Sequence, residues 1–146
     1  MRSEKGFTLL ELVLVILIIG ITAGILINQL DLGNYATLRL AARTVYSDFK
    51  NTSELARINQ QRFEIQLDYH NSRYSIVNVD TGEVLEINEL EEGITLDETH
   101  STWKGGARLF FNPTGTASNG SLFITNNNGQ RSRIIVGGIG RVRLEH

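Results

Sequence analysis

An α+β fold is the class this sequence predicts, with one long N-terminal helix packed on antiparallel strands. Three observations carry that reading: an apolar run from Phe7 to Ile27, an amphipathic three-four periodicity after it, and a change to period-two alternation beyond Gln61. The 146 residues contain one proline, Pro113, so none interrupts the helical half.

The apolar run holds a single ionisable group, Glu11. At a rise of about 1.5 Å per residue it is long enough to cross a hydrocarbon core of about 30 Å. A carboxylate at depth costs on the order of 2.5–3.5 kcal/mol, which points to a function for Glu11, although its place five residues into the run also lets it snorkel to the surface. Arg2 and Lys5 precede the run, and no base follows until after Asp31, so the N-terminus is expected in the cytoplasm and everything after Leu30 outside it. A secretory signal would be cut behind small residues after the apolar segment, yet Ile21 to Gln29 offers no such site. Gly6 instead lies before the run.

The stretch Lys5-Gly6-Phe7-Thr8-Leu9-Leu10-Glu11-Leu12 resembles the class III leader of type IV pilins and type II secretion pseudopilins. The resemblance implies that a prepilin peptidase cuts after Gly6 and methylates the new terminus at Phe7. It divides the chain into a leader over 1–6, a transmembrane and assembly helix over 7–30, and a periplasmic domain over 31–146. It also assigns Glu11 to the terminal amine of a neighbouring subunit in the fibre. Physical chemistry points the same way, because pairing opposite charges on docking offsets the cost of a carboxylate in lipid.

After the run, Leu38, Ala41, Ala42, Val45, Phe49 and Ala56 recur at helical steps with Arg39, Arg43, Asp48 and Lys50 between them, predicting a helix to about Asn59. Asp31, Gly33 and Asn34 loosen the junction between its two halves. Phe63, Ile65, Leu67 and Tyr69 then alternate as a strand, Asn71-Ser72 turns the chain, and Tyr74, Ile76 and Val79 return it. Asp80-Thr81-Gly82-Glu83 is the next turn. Further strands are predicted over Val84–Ile87, Ile94–Leu96, Ala107–Phe111, Ser121–Thr125, Arg131–Val136 and Arg141–Leu144, spaced by Asn112-Pro113-Thr114-Gly115 and Asn126-Asn127-Asn128-Gly129.

Charge is unevenly spread. Eight acids and no Lys or Arg lie between Asp80 and Glu98, whereas six bases and only Glu145 lie from Thr99 onward. Such runs are commonly two solvated faces of a sheet, and alternatively an acidic docking surface beside a basic tail for a polyanion. Removal of Arg2, Glu4 and Lys5 leaves 12 bases and 15 acids, a net charge of −3. With no cysteine, no disulfide braces the outer domain and thiol chemistry is excluded.

Nothing here reads as an enzyme or a cofactor site. His70 and His100 fall in separate turns, no G-x-S-x-G or phosphate-binding loop occurs, and Gly137-Gly138-Ile139-Gly140 sits between strands as a turn. Asp97, Glu98 and Asn126 to Asn128 offer oxygens to calcium without the spacing of a dedicated loop, so no metal is expected. The ending Leu144-Glu145-His146 is native or a tag remnant.

The C-terminal third carries a second resemblance. Phe111-Asn112-Pro113-Thr114-Gly115, then Gly120, a strand, the Asn-Gly turn, another strand and Gly140-Arg141-Val142-Arg143 resemble the GspH/FimT group of minor pilins and pseudopilins. Relatives often place a proline late in the apolar segment where this chain has Asn28, leaving Gly20 and Gly24 as the weak points of the helix. The resemblance implies a structural subunit that helps initiate or cap a type II secretion pseudopilus or type IV pilus, with the other pilins of the fibre, the prepilin peptidase and the inner membrane as partners. Its alternative is uptake of double-stranded DNA, since relatives ending in Gly-Arg-x-Arg bind DNA. Arg141 and Arg143 alternate onto one side of an extended segment, able to bridge successive phosphates, and Arg131 and Arg133 repeat the pattern one strand earlier with few acids nearby; against this, the same tetrapeptide can merely close a sheet, its arginines pairing with the acids of the Asp80 to Glu98 region.

Overall fold

The computed structural model describes residues 9–106 and 108–146, except the side chains of residues 23–33. The expected cleavage and methylation positions Gly6 and Phe7 lie outside the described residues, as does the side chain of Asn28. Helix α1 runs Leu9–Asn59 and is followed by β1 (Phe63–Asp68), β2 (Arg73–Asn78), β3 (Val84–Glu89), β4 (Ile94–Asp97), β5 (Arg108–Phe111), β6 (Gly120–Asn126), β7 (Arg131–Val136) and β8 (Val142–Glu145). The chain divides after Asn34 into two compact units.

In the first unit every large apolar side chain from Leu9 to Ile21 is exposed, from 43% for Val15 to 81% for Leu9. Thr22 donates its hydroxyl to the carbonyls of Ile18 and Ile19, which satisfies the polar group inside the helix. Among the described residues no helix is long and apolar enough to cross a membrane. Leu9–Thr22 rises only about 21 Å, and the span expected over 7–30 extends past both of its ends.

In the second unit the helical stripe is buried where the periodicity places it. Leu38, Ala42, Val45, Phe49 and Ala56 are wholly inaccessible, and Ala41 nearly so. Two four-stranded antiparallel sheets complete the domain, ordered β3-β2-β1-β5 and β4-β6-β7-β8. The inward residues of both, including Phe63, Ile65 and Tyr74 in the first and Leu122, Ile124 and Ile134 in the second, form one apolar cluster with the stripe. Each large side chain so buried contributes about 1.5–3 kcal/mol, which is how the domain holds without a disulfide. Phe49 and Tyr74 meet edge to face with ring centroids 6.2 Å apart. The Tyr74 hydroxyl donates to Asp48 Oδ2, and Asn88 Nδ2 donates to the same oxygen at 3.1 Å.

Several strand ends differ from expectation for local reasons. β2 stops at Asn78 because the Asn78 side-chain oxygen accepts the N–H groups of Asp80 and Thr81 and starts the turn there. β3 runs two residues further than expected, with Asn88 and Glu89 paired to Tyr74 and Arg73. β8 starts at Val142 because the Arg141 carbonyl accepts Gly137 N–H at 2.8 Å and closes the glycine turn.

Candidate functional site

The arginines singled out by the sequence lie on the second sheet. Alternation along β7 sends Ser132, Ile134 and Val136 into the core and leaves Arg131 and Arg133 outside. The register sets Arg133 opposite both Phe123 of β6 and Glu145 of β8, and Ile135 opposite Arg143. Directly opposed residues share a face, so Arg131, Arg133 and Arg143 belong to one outer surface.

That surface treats its arginines unequally. Arg131 Nε lies 3.4 Å from Asp97 Oδ2, and Arg133 Nη1 lies 3.8 Å from Glu145 Oε2. Arg133 also stands over the Phe123 ring, 5.4 Å from its centroid. The expectation of few acids nearby is therefore corrected: Asp97 comes from β4, across β6, and Glu145 from the strand after the glycine turn. Burial would raise the Asp97 carboxyl, but backbone and side-chain hydrogen bonds from His100, with the charges of His100 and Arg131, outweigh it and hold the group low. Arg141 and Arg143 are exposed, and among the described residues neither has an ion-pair partner.

The glycine of Gly140-Arg141-Val142-Arg143 has a packing role. Gly140 adopts φ +71, and a Cβ there would stand 2.5 Å from the Gly115 carbonyl oxygen and 3.1 Å from Ser53 Oγ. Ser53, buried on α1, donates its hydroxyl to the Gly140 carbonyl at 3.1 Å. The turn that launches the two arginines is thus clamped between the helix and the β5–β6 connection.

The remaining candidates do not converge on a reaction. Glu11 is exposed on the first turn of α1. His100 Nδ1 is 2.8 Å from Asp97 Oδ2, Glu98 accepts the Gly105 N–H, and the Asn126 side-chain oxygen accepts Asn128 and Gln130 N–H within the β6–β7 turn. Among the described residues no three metal-ligating side chains gather to hold an ion. Sequence reading missed Asp97 and Glu145 as partners of the β7 arginines. Glu145 was within reach of it, because a three-residue loop of Gly138, Ile139 and Gly140 sets it against Arg133.

Comparison with known proteins places this architecture. Residues 1–27 match the prokaryotic N-terminal methylation motif, and residues 41–140 match the type II transport protein GspH. No curated protein sequence matches the chain. Among solved structures, the minor pseudopilin EpsH from the type 2 secretion system of Vibrio cholerae is similar at a TM-score of 0.63 and 21% identity, over 73% of this chain and 94% of that one. The type IV minor pilin FimU of Pseudomonas aeruginosa is similar at a TM-score of 0.60 and 18% identity, over 75% of this chain and 88% of that one. With a methylation motif ahead of a pilin-like helix on two antiparallel sheets, and a domain match that spans most of its length, the chain belongs to the GspH family of type II transport proteins.

Proposed function

We propose that this chain is a minor pilin-type subunit that helps initiate or cap assembly of a type II secretion pseudopilus or type IV pilus. The observation that carries the reading is the family match over residues 41–140 behind a methylation motif over 1–27. In this reading the peptidase cuts between Gly6 and Phe7 and methylates Phe7, and the retained helix over 7–30 anchors the chain in the inner membrane with its globular domain in the periplasm. Glu11 then meets the methylated amine of a neighbour as the helices pack, where low dielectric strengthens the pair and offsets the cost of a carboxylate in lipid. Mass spectrometry of membrane-extracted chain tests the processing step. The expected product starts at methylated Phe7, and Gly6→Ala retains the leader; an intact Met1 terminus beside an active peptidase overturns it.

A second reading, DNA binding for uptake, is favoured by one observation: Arg141 and Arg143 are exposed and without an ion-pair partner among the described residues. It rests on those two, since Arg131 and Arg133 share carboxylates. The test is titration of full chain in detergent against a fluorescent duplex at several salt concentrations. Phosphate contacts give a log–log slope of about −0.9 per phosphate, so replacing both arginines by glutamine should flatten it by roughly two units. Binding that the double variant keeps in full, or no wild-type binding at low salt, rejects DNA as the ligand of this edge.

A further inference from the structure

Each sheet ends in an open edge, and the two edges are chemically opposite. β3 is one terminal strand of the first sheet, opposite β5, and β8 is one terminal strand of the second, opposite β4. Val84, Leu85 and Ile87 on β3 are 51%, 42% and 65% exposed, an apolar display that a six-residue edge strand makes costly in water. Glu83, Glu86 and Glu89 stand among them, all exposed, and none has an ion-pair partner among the described residues. At the other edge Arg141 and Arg143 are exposed in the same condition.

We propose that a second copy of this chain docks through these edges, the acidic and apolar β3 edge of one copy laid against the basic β8 edge of the next. Charge complementarity selects this arrangement. β3 against β3 would bring glutamates together, and β8 against β8 would bring together two edges whose one acid, Glu145, already lies with Arg133, leaving Arg141 and Arg143 of both copies to face each other, each unfavourable at strand spacing. The β3 acids therefore do more than block indiscriminate pairing: they favour an edge of opposite sign. Main-chain pairing extends a sheet across the contact, while Val84, Leu85 and Ile87 lose water to the partner's strand. Because the two surfaces differ, the contact is heterologous and leaves a β3 edge free at one end and a β8 edge at the other. The inference goes beyond the assignment to a fibre, since it needs neither processing nor Glu11, and it competes with the DNA reading for the same two arginines.

The absence of cysteine makes cross-linking a clean test. Full chain carrying Ile87→Cys is mixed in detergent with differently tagged full chain carrying Glu145→Cys, and a short bismaleimide is added. The mixed adduct should exceed either same-variant adduct and decline as salt rises, as exposed charge pairing does. Adding Arg141→Glu and Arg143→Glu to the Glu145→Cys chain should lower the mixed adduct about tenfold, equivalent to about 1.4 kcal/mol. Reversing Glu86 and Glu89 to arginine on the Ile87→Cys chain should restore it, an outcome that misfolding cannot produce. The milder Arg141→Gln and Arg143→Gln pair should give an intermediate loss. Equal adducts in all combinations, no mixed adduct at low salt, or charge reversal without loss or without rescue would overturn the proposal.

Discussion

The two halves of helix α1 obey the same backbone geometry and opposite burial rules. From Leu38 to Ala56 one apolar stripe is buried and, Leu40 apart, the exposed positions are polar or small, so the fold of the domain itself accounts for the sequence. From Leu9 to Ile21 apolar side chains are exposed all round, and nothing within that unit accounts for them. An apolar surface that its own unit leaves open suits another environment, and the methylation motif matches the same residues; under the proposed function that environment is a bilayer and then a bundle of like helices.

The sharpest way to break this contrast is to truncate one residue in each half of full chain in detergent. Phe49→Ala empties a fully buried site and should cost about 3–5 kcal/mol, read as a fall in the denaturant midpoint of Trp103 fluorescence. Trp103 is the only tryptophan and is buried, so it reports on the second unit. Leu17→Ala, in the exposed stretch, should move that midpoint by less than about 0.5 kcal/mol. Equal losses at the two sites would contradict the division of labour.

A smaller effect is expected at Gly140, where the second half of the helix grips the glycine turn. Gly140→Ala combines an unfavourable φ with a Cβ 2.5 Å from a carbonyl oxygen and should cost about 1–3 kcal/mol. Gly138→Ala, which meets nothing within 4 Å, should cost less.

The smallest expected effect concerns Asp48, also on the second half. Burial raises its carboxyl above the ordinary 3.8, the Tyr74 hydrogen bond lowers it, and the Glu86 charge raises it again. The folded state therefore holds the Asp48 proton to higher pH than the unfolded state, so ionisation weakens the fold. Stability from this group is greatest below 3.8 and is lost as pH rises through the elevated value. Asp48→Asn keeps an acceptor for Tyr74 and should flatten that decline, measured as denaturant midpoint against pH; an unchanged slope would remove Asp48 as its cause.

Much of this architecture was legible because burial follows period. Leu38 to Ala56 and the alternating Phe63, Ile65 and Leu67 are the observed core, and the turn at Asn126 to Gly129 falls where its chemistry places it. Strand ends were not legible, since they depend on single hydrogen bonds such as those accepted by the Asn78 side chain. The arginine surface was half legible. Alternation exposes Arg131 and Arg133, but their pairing with Asp97 and Glu145 depends on which strands become neighbours. The open β3 edge was hidden for the same reason, because Val84, Leu85 and Ile87 read as an ordinary strand until the sheet order leaves them outermost.

The central claim is that the exposed half of α1 is an assembly element whose acid, Glu11, acts between subunits. Its most direct test is Glu11→Leu in the native producing cell, with tagged chain followed in separated membrane and fibre or pseudopilus fractions. The account predicts that the variant inserts in the membrane at wild-type level, loses its leader, and is strongly depleted from the assembled fraction. Glu11→Leu entering that fraction at the wild-type level, with secretion or piliation intact, would contradict it and reduce Glu11 to a residue that snorkels.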